Sequence, residues 1–448
     1  MKRRRFPLLV AAAASVLSIS LTAFTPSPDA DGSPAGSSTE GTEFRRDPND
    51  PAAVKGFLER QRAAPKQHKC NTSRAGHRKR VRRNGPTRWC IERIDPARAP
   101  KAPARSKIKR NAADPTPPQA LCSKKPGQTN YDRFHACYED TGRILNEDTG
   151  AVAGIFRWDV WATLSAKNPT WLMQAGVTVT SMSAELFEAA PWFVASLDCP
   201  QNQCEKPTPV KKRIFPNTYT YYELPTSIPG EGSIRYTNPT IILTLNTDHA
   251  WPGDGAAHPV DDPFNVRCDK ETYIGGHGCV FYMGNAAAAI FSIDYANADT
   301  KYGDYREVVK HNLYAIEVRD NLKHYGHINY GNPLHRIDPN KIDANRRKVC
   351  TPAFQQKASS LGLSCDEYPY ASSEEGGTTS LRRSCAFLPG PQNSAHGNAL
   401  ENVLYKPNRI LPSLDEGGKH IQGDPYWVWV TNAPPKEKIP TVKQCDLY

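Results

Sequence analysis

The sequence predicts a multidomain protein with a β-rich, sandwich-like middle domain, a small C-terminal α+β domain and a disordered basic N-terminal segment. Its 448 residues exceed what one hydrophobic core usually organises. Between residues 121 and 300, short runs of alternating apolar and polar residues are separated by Pro, Gly and Asn, a pattern typical of antiparallel strands. Residues 45–115 carry 21 Lys and Arg against 6 Asp and Glu, and so charged a segment cannot bury a core of its own.

The first 30 residues have the pattern of a secretory signal. Lys2 to Arg5 form a charged start, and the apolar run from Pro7 to Phe24 is followed by a spacer with Pro and Ser. An uncleaved anchor is the alternative, because the run is near the lower length limit for crossing a bilayer. We therefore expect a secreted, extracellular protein with no stable membrane insertion once the signal is removed.

Residues 31–120 are predicted to form a linker followed by a basic low-complexity segment. The excess of 15 positive charges between residues 45 and 115 is larger than the +11 of the whole chain. Such a segment attracts polyanions, which include nucleic acid, anionic envelope polymers and membrane surfaces. A solvated linker is the alternative. Cys70 and Cys90 can close a small loop here, with Trp89 as its one large apolar side chain.

Twelve cysteines, an even number in an exported chain, favour disulfides over free thiols. Their spacing contains no C-x-x-C motif and no Cys/His cluster of the kind that binds zinc. Sequence leaves the connectivity open. The simplest pairing joins neighbours: Cys70–Cys90, Cys122–Cys137, Cys199–Cys204, Cys268–Cys279, Cys350–Cys365 and Cys385–Cys445.

Three segments follow the basic one. Residues 121–300 form the β-rich domain, with strands predicted near residues 156–164, 170–182, 191–197, 214–224 and 240–245. Residues 301–328 form a helical connector, because apolar residues between Tyr305 and Leu322 recur at roughly helical spacing. Residues 329–448 form the second domain, with a short basic helix near residues 341–348 and a final strand at residues 424–430.

The stretch from Cys365 to Gly377 is the most unusual in the chain. Asp366 and Glu367 precede a stiff Tyr-Pro step, and Glu374 and Glu375 precede two glycines, so a turn would bring the two acidic pairs together. Like charges in proximity require a proton on one acid, a divalent cation or exposure to water. A solvated acidic loop is the alternative to a functional site.

This stretch resembles the NucA/NucB-type secreted bacterial deoxyribonucleases. The resemblance rests on D-E-Y-P and E-E-G-G within Cys365 to Gly377, on Ala344 to Arg347 before them, and on an Asn-x-x-x-Gly loop within Gln392 to Gly397. It covers about residues 329–430 and implies a small ββα-metal-like nuclease domain that cuts DNA with one Mg²⁺ or Mn²⁺. His396 departs from the family pattern, which leaves its role open.

The resemblance and the residue types together suggest roles for individual side chains. Hydrolysis of a phosphodiester needs a base to deprotonate water and a cation to stabilise the developing charge, and carboxylate and amide oxygens suit Mg²⁺ or Mn²⁺. The expected catalytic residues are Asp366 as general base, Glu367 as its alternate, and Glu375. The expected metal ligands are Asn393 and Glu375, and the expected substrate-binding residues are Arg336, Asn345, Arg346 and Arg347. Asn393 can instead cap the following helix.

The preferred function is therefore a secreted, metal-dependent endonuclease that hydrolyses DNA with little sequence specificity. The alternative is a secreted, non-enzymatic protein that uses the basic segment and the β-rich domain to hold nucleic acid or a cell-wall polymer. A glycosidase that uses two of the carboxylates is the least supported reading, because paired carboxylates are common and no sugar-stacking cleft can be located from sequence.

Overall fold

The structure is a computed structural model. It describes residues 70, 87–94, 117–122, 127–199, 203–228, 234–247, 256–259, 264–271, 274–282, 288–319, 324–377, 383–416 and 418–447. The predicted signal at residues 1–30, the linker and most of the basic segment lie outside the described residues.

The first part of the described chain is rich in β-strands, as the sequence predicts. Strands β4 and β5 are the longest, because both runs contain many β-branched and aromatic residues. The strands are β1 (Trp89–Arg93), β2 (Thr129–Tyr131), β3 (His135–Asn146), β4 (Val152–Ser165), β5 (Asn168–Met182), β6 (Trp192–Asp198), β7 (Val210–Arg213), β8 (Tyr219–Ser227), β9 (Ile234–Thr237), β10 (Thr240–Asn246), β11 (Ala256–Pro259), β12 (Val266–Asp269) and β13 (Gly278–Phe281). Helices α1 (Gln119–Cys122) and α2 (Ala184–Glu188) are short.

These strands form sheets that share one hydrophobic core. The largest sheet has the order β1-β3-β4-β5-β8, with β2 paired to the edge of β3. A second sheet has the order β11-β10-β6-β7, and a third has the order β13-β12-β9. The first two sheets meet through Phe156 of β4 and Phe193 of β6, whose ring centroids are 5.2 Å apart. The first core is therefore sandwich-like.

Strand β1 corrects the prediction that the whole basic segment is disordered. It pairs antiparallel with β3, and Cys70 is joined to Cys90 within it. Trp89 and Ile91 are buried in the first core. The prediction fails here because it rests on the average charge of a long segment, whereas the short Trp-Cys-Ile run within that segment is apolar enough to join the first core.

The second part of the described chain has its own core. Its strands are β14 (Ala289–Asp294), β15 (Asp299–Thr300), β16 (Gly303–Asp304), β17 (Leu334–His335), β18 (Ser364–Tyr368), β19 (Ser384–Leu388), β20 (Leu414–Glu416), β21 (Lys419–Ile421) and β22 (Pro425–Thr431). Its helices are α3 (Arg306–Glu317), α4 (Ile342–Val349), α5 (Pro352–Ser360) and α6 (Gly390–Ala399), and α6 continues as a π-helix at Leu400–Tyr405.

A three-stranded sheet with the order β14-β22-β17 forms the base of the second core. Strand β14 runs parallel to β22, with Ala289 opposite Tyr426. Although β14 falls within the residues that the sequence predicts as the β-rich domain, it packs in the second core together with α3. Helix α3 is thus a wall of this core and lies inside the second part of the chain, because β14, which precedes it, already packs in the same core.

The hairpin β18–β19 and the helix α6 follow one another in the chain and pack together. The strands pair antiparallel, with Asp366 opposite Ala386, and α6 begins two residues after β19 ends. The predicted Asn-x-x-x-Gly loop is wrong, because its residues lie inside α6. Pro391 lies in the first turn of this helix, where its missing N–H removes no helical hydrogen bond.

All six sequential disulfides are present, which confirms the predicted pairing, and no cysteine is free. In the second core, Cys350–Cys365 joins the end of α4 to β18, and Cys385–Cys445 joins β19 to the C-terminal segment. The two bridges lie against each other, with 3.4 Å between Cys365 Sγ and Cys385 Sγ. None of the described helices is long and apolar enough to cross a membrane.

A buried charge network connects the two cores. Asp424, just before β22, accepts hydrogen bonds from Arg267 Nη1 at 2.6 and 2.7 Å and from Arg133 Nη2 at 2.6 Å. Arg409 forms an ion pair with Asp269, and its peptide oxygen accepts from Arg133 and Arg267. Burial by itself would raise the pKa of Asp424, but the two arginines lower it to about 2. Asp424 is therefore charged at neutral pH.

Candidate active site

Asp366 is at the centre of β18, and its carboxylate points toward helix α3. It is buried, and its Oδ2 lies 2.6 Å from Nδ1 of His311, which is completely buried on that helix. The other oxygen, Oδ1, accepts no hydrogen bond from the described part of the chain. One oxygen of the carboxylate is thus fixed by protein, and the second is open to another ligand.

His311 is itself fixed from the opposite side of its ring. Its Nε2 lies 2.9 Å from the hydroxyl of Ser384 on β19, and that hydroxyl lies 3.0 Å from Oε1 of Gln444. Gln444 also accepts from the backbone N–H of Cys385, next to the bridge that holds the C-terminal segment on β19. A continuous chain of hydrogen bonds therefore runs from Gln444 through Ser384 and His311 to Asp366, and it orients the carboxylate.

A second buried polar group lies beside this chain. Asn312 Nδ2 donates to the Tyr370 hydroxyl at 2.8 Å and lies 3.4 Å from Nε2 of His396, whose ring packs among Phe291, Tyr305 and Tyr370. Burial lowers the pKa of His396 to about 4, so its imidazole is neutral at pH 7. We assign His396 to the packing of this wall, since its ring is enclosed by aromatic side chains and its charge does not change near neutral pH.

Asn393 is presented by α6 beside the strand that carries Asp366. Its Nδ2 lies 3.2 Å from the Cys365 carbonyl oxygen and 3.4 Å from Ser364 Oγ, so the amide nitrogen is held by β18. Within the described ranges, the amide oxygen Oδ1 has no hydrogen-bond partner. Asn393 does not cap α6, whose N-cap residue is Pro389.

Glu367 faces the opposite side of the strand from Asp366, as alternation along a β-strand requires. Its Oε2 lies 3.4 Å from Cys350 Sγ, and Arg346 Nε lies 3.7 Å from Oε1. Burial, and secondarily the charge of Asp366, raise the pKa of Glu367 to about 8. At neutral pH Glu367 therefore holds a proton, which relieves the repulsion between the neighbouring carboxylates.

This proton gives the stability of the protein a distinctive pH dependence. Between the ordinary value of 4.5 and about 8, the folded state keeps a proton on Glu367 that the unfolded state releases. The free energy of unfolding should therefore fall as the pH rises through this window. Above the window Glu367 is ionised in both the folded and the unfolded state, so it no longer contributes to the pH dependence. Glu367→Gln, which resembles the protonated acid, should remove that part of the decline.

The measurement is the urea midpoint of the wild type and Glu367→Gln at several values between about pH 5 and about pH 8. The two midpoints should move apart as the pH rises, with the variant the more stable at the alkaline end. Parallel curves would show that Glu367 is ionised in the folded protein.

The second acidic pair has its own partners. Glu375 Oε1 lies 2.6 Å from His335 Nδ1, and its Oε2 accepts from the His335 backbone N–H at 2.9 Å. Glu374 Oε1 accepts from the Gly423 N–H at 2.8 Å and lies 3.3 Å from His420 Nε2. The turn after Tyr368 thus directs each carboxylate of this pair toward a histidine, and both oxygens of Glu375 are occupied.

The four residues expected to bind substrate divide into two groups. Arg336 is buried, stacks 4.4 Å from the centre of the Tyr405 ring and donates to the Ile410 carbonyl, while Asn345 donates to the Ser373 carbonyl. These two side chains therefore support the fold. Arg346 and Arg347 are exposed on α4, and Arg347 forms no hydrogen bond or ion pair in the part of the chain that the structure describes.

Arg383 extends the positive surface of α4 to the start of β19. It donates to the carbonyl of Lys348 at 2.9 Å and is half-buried. The surface formed by Arg346, Arg347, Lys348 and Arg383 borders the Glu367 side of the hairpin. Its charge suits phosphate groups of a bound polyanion.

The described residues contain one group of three potential metal-binding side chains within 4.8 Å of one another: Cys350, Cys365 and Cys385. All three are in disulfides, so they have no thiolate to offer a metal. The open oxygens of Asp366 and Asn393 are the donors that remain near the hairpin.

Sequence reasoning misses His311, Ser384 and Gln444. The signal that was present is the pair His311-Asn312 within an otherwise apolar helical pattern between Val308 and Ile316. Both residues are completely buried, so they need polar partners inside the core. The identity of those partners cannot be read from the pattern.

Comparison with known proteins gives a family match for this region alone. Residues 323–413 match the family model described as deoxyribonuclease NucA/NucB. No curated protein and no solved structure matches the chain. The match confirms the resemblance for the C-terminal region, where residues 323–413 are similar to the NucA/NucB deoxyribonucleases. Both His311 and Gln444 lie outside the matched residues.

Proposed function

We propose that the protein is a secreted endonuclease that hydrolyses DNA with a divalent metal ion and with little sequence specificity. The observation that carries the proposal is Asp366, which has one oxygen fixed by His311 and the other without a protein partner. It is on a strand–strand–helix unit inside the family match. That unit has the element order of the ββα-metal core that the resemblance implies.

Asp366 is the proposed general base. Its Oδ1 accepts a proton from the attacking water, and His311 holds Oδ2 so that the carboxylate keeps one orientation. His311 is a positioning residue, because its ring is completely buried and contacts Asp366 and Ser384. Glu367 is unsuited to the role of base at neutral pH, since burial keeps it protonated.

Asn393 is the proposed protein ligand of Mg²⁺ or Mn²⁺. Its amide nitrogen is held by the backbone of β18, which leaves Oδ1, a hard oxygen donor, without a partner in the described structure. Mg²⁺ keeps several waters and binds substrate phosphates directly, so a small set of protein oxygens fits it. The bound ion would stabilise the charge that develops on the phosphate. Glu375 does not fit the ligand set, because His335 occupies both of its oxygens.

The substrate is proposed to be held by charge. Arg346 and Arg347 are exposed beside the hairpin and can contact phosphates without reading bases, which agrees with low sequence specificity. We propose that the basic segment at residues 45–115 makes additional contacts with polyanions, because it has a large excess of Lys and Arg over Asp and Glu. Six disulfides support an oxidising location outside the cell.

The test of this function is plasmid digestion by the purified, oxidised chain with added Mg²⁺ or Mn²⁺, and again with a chelator. Cleavage is expected with either metal and should stop with the chelator. Digestion that continues in chelator would refute the metal requirement. A correctly oxidised protein that binds DNA without cutting it would favour the non-enzymatic binding function.

Asn393→Ala tests the metal ligand specifically. The variant should need roughly 10- to 100-fold more metal to reach half of its maximal rate, the range seen when a metal site loses a supporting group. Asn398→Ala is the matched control, because Asn398 is an exposed asparagine on the same helix. Identical metal titrations of the two variants would exclude Asn393 as a ligand.

A further inference from the structure

A row of aromatic rings lies on the surface of the second core. His324 stacks on Tyr330 with 3.8 Å between ring centroids, His327 lies 4.9 Å from Tyr330, and Trp429 lies 5.9 Å from His327. Tyr330 is 50% exposed and Trp429 is 37% exposed. The rings support one another and still present surface to solvent, which is unusual for side chains whose burial would stabilise the fold.

A cavity of about 240 Å³ opens beside this row. Its walls come from α3, the turn that bears His327, β22 and the segment after β22, and they are mostly apolar, with Trp429, Glu317 and Lys436 among the other lining residues. His327 Nδ1 accepts from the Asn329 N–H, so its Nε2–H donates to Glu317 Oε1 at 3.0 Å. In the described structure Glu317 Oε2 has no partner, so the cavity combines flat apolar walls with one open hydrogen-bond acceptor.

The row and the cavity are fixed to the candidate active site. Helix α3 carries both His311, which contacts Asp366, and Glu317, which lines the cavity. Six residues of helix separate them by about 9 Å along the axis. The hydroxyl of Tyr368, two residues after Asp366, donates to the Tyr325 carbonyl at 2.7 Å and so anchors the turn that bears His324, His327 and Tyr330.

We propose that this row and cavity bind the unpaired bases of single-stranded DNA next to the cleavage site. The inference rests on the proposed nuclease function and names its preferred substrate as single-stranded or locally melted DNA. Exposed, preorganised aromatic rings stack on bases of any identity, whereas the bases of a duplex already stack on one another. Glu317 repels phosphates but accepts hydrogen bonds from the exocyclic amino groups of bases, so it favours base edges over the backbone in this cavity.

The experiment measures binding in a chain that cannot cut its ligand. Fluorescently labelled single-stranded oligonucleotide is titrated with Asp366→Asn alone and with Asp366→Asn combined with Tyr330→Ala or with Trp429→Phe. Tyr330→Ala should weaken binding roughly 5- to 100-fold, the loss expected when one base loses its stacking partner. Trp429→Phe keeps an aromatic ring and should retain most of the affinity.

Two controls separate stacking from other effects. An abasic oligonucleotide of equal length keeps the phosphates and lacks the bases, so its affinity should not change with Tyr330→Ala. Phe187→Ala removes an aromatic side chain that is 52% exposed on α2 in the first core, and it should leave both affinities unchanged.

The outcomes distinguish this inference from the proposed function. Unchanged binding by Tyr330→Ala, or an equal loss on normal and abasic strands, would overturn the base-stacking site even if the wild type cleaves plasmid DNA. A wild type that neither binds nor cleaves DNA would overturn the proposed function itself. A stronger loss on the normal strand than on the abasic strand supports the site.

Discussion

Replacing Asp366 by asparagine is expected to lower the rate of DNA cleavage by roughly 10²- to 10⁴-fold, the usual contribution of a general base. The side chain keeps its size, and its amide can still bond to His311, so the fold should survive. The variant loses the carboxylate oxygen that accepts the proton from water. The measurement is the initial rate of plasmid nicking at saturating DNA and metal, compared with the wild type.

Two matched controls test whether the loss is specific to this carboxylate. Glu367→Gln replaces an acid that is protonated at neutral pH, and Glu375→Gln alters an acid that is bonded to His335. Both variants should cleave within a fewfold of the wild type. If Glu375→Gln is normally stable but cleaves DNA much more slowly than the wild type, Glu375 belongs to the catalytic residues after all. An Asp366→Asn protein that cleaves as fast as the wild type would refute the mechanism.

The same cleavage assay separates the positioning role of His311 from the role of Asp366 as the base. His311→Asn should reduce cleavage less than Asp366→Asn, because the carboxylate remains but is no longer held in place. The double variant should be no slower than Asp366→Asn, since both changes act through one group and such effects are not additive. If the double variant is slower than Asp366→Asn by the same factor that His311→Asn alone causes, then His311 does not act on the reaction through Asp366.

Replacing Asp424 by asparagine is expected to lower the free energy of unfolding by about 3–5 kcal/mol. Asp424 is buried and accepts hydrogen bonds from two buried arginines of the first core, Arg133 and Arg267. Removing its charge leaves both guanidinium groups without their main counter-ion in a region that excludes water. The measurement is the urea unfolding midpoint and slope of the full-length chain.

Asp415→Asn is the control for this change. Asp415 is an exposed aspartate in the same part of the chain, where it pairs with Lys341 and His420. Exposed ion pairs contribute little, so its midpoint should stay close to that of the wild type. An Asp424→Asn midpoint equally close to the wild type would show that the arginines find other partners and that the two cores are not held together by this network.

The acidic stretch from Cys365 to Gly377 shows which features of the candidate site can be predicted from sequence and which cannot. Its resemblance to the NucA/NucB-type deoxyribonucleases implies a nuclease module, and the family match agrees with that resemblance. It does not predict that Asp366 and Glu367 point to opposite faces with different partners, because that depends on the strand formed by Ser364 to Tyr368. Nor does the sequence predict that Arg336, a basic residue within the matched region, is buried against Tyr405.

The sequence by itself determined the features of this protein that depend on near neighbours in the chain. Those features are the long strands of the first core and the helix at Arg306–Glu317. Periodicity records which face of an element is apolar. The pairing of successive cysteines is the simplest of several pairings that the sequence leaves open, and the structure decided for it.

Only the tertiary structure decided which distant residues meet. His311 lies 55 residues before Asp366, Ser384 lies 60 residues before Gln444, and Asp424 lies 157 residues after Arg267. Strand β14 also pairs in parallel with β22, although most of the second part of the chain lies between these two strands in sequence. These contacts follow from how whole elements pack, and a local pattern of residue types contains no information about which buried polar group will satisfy another.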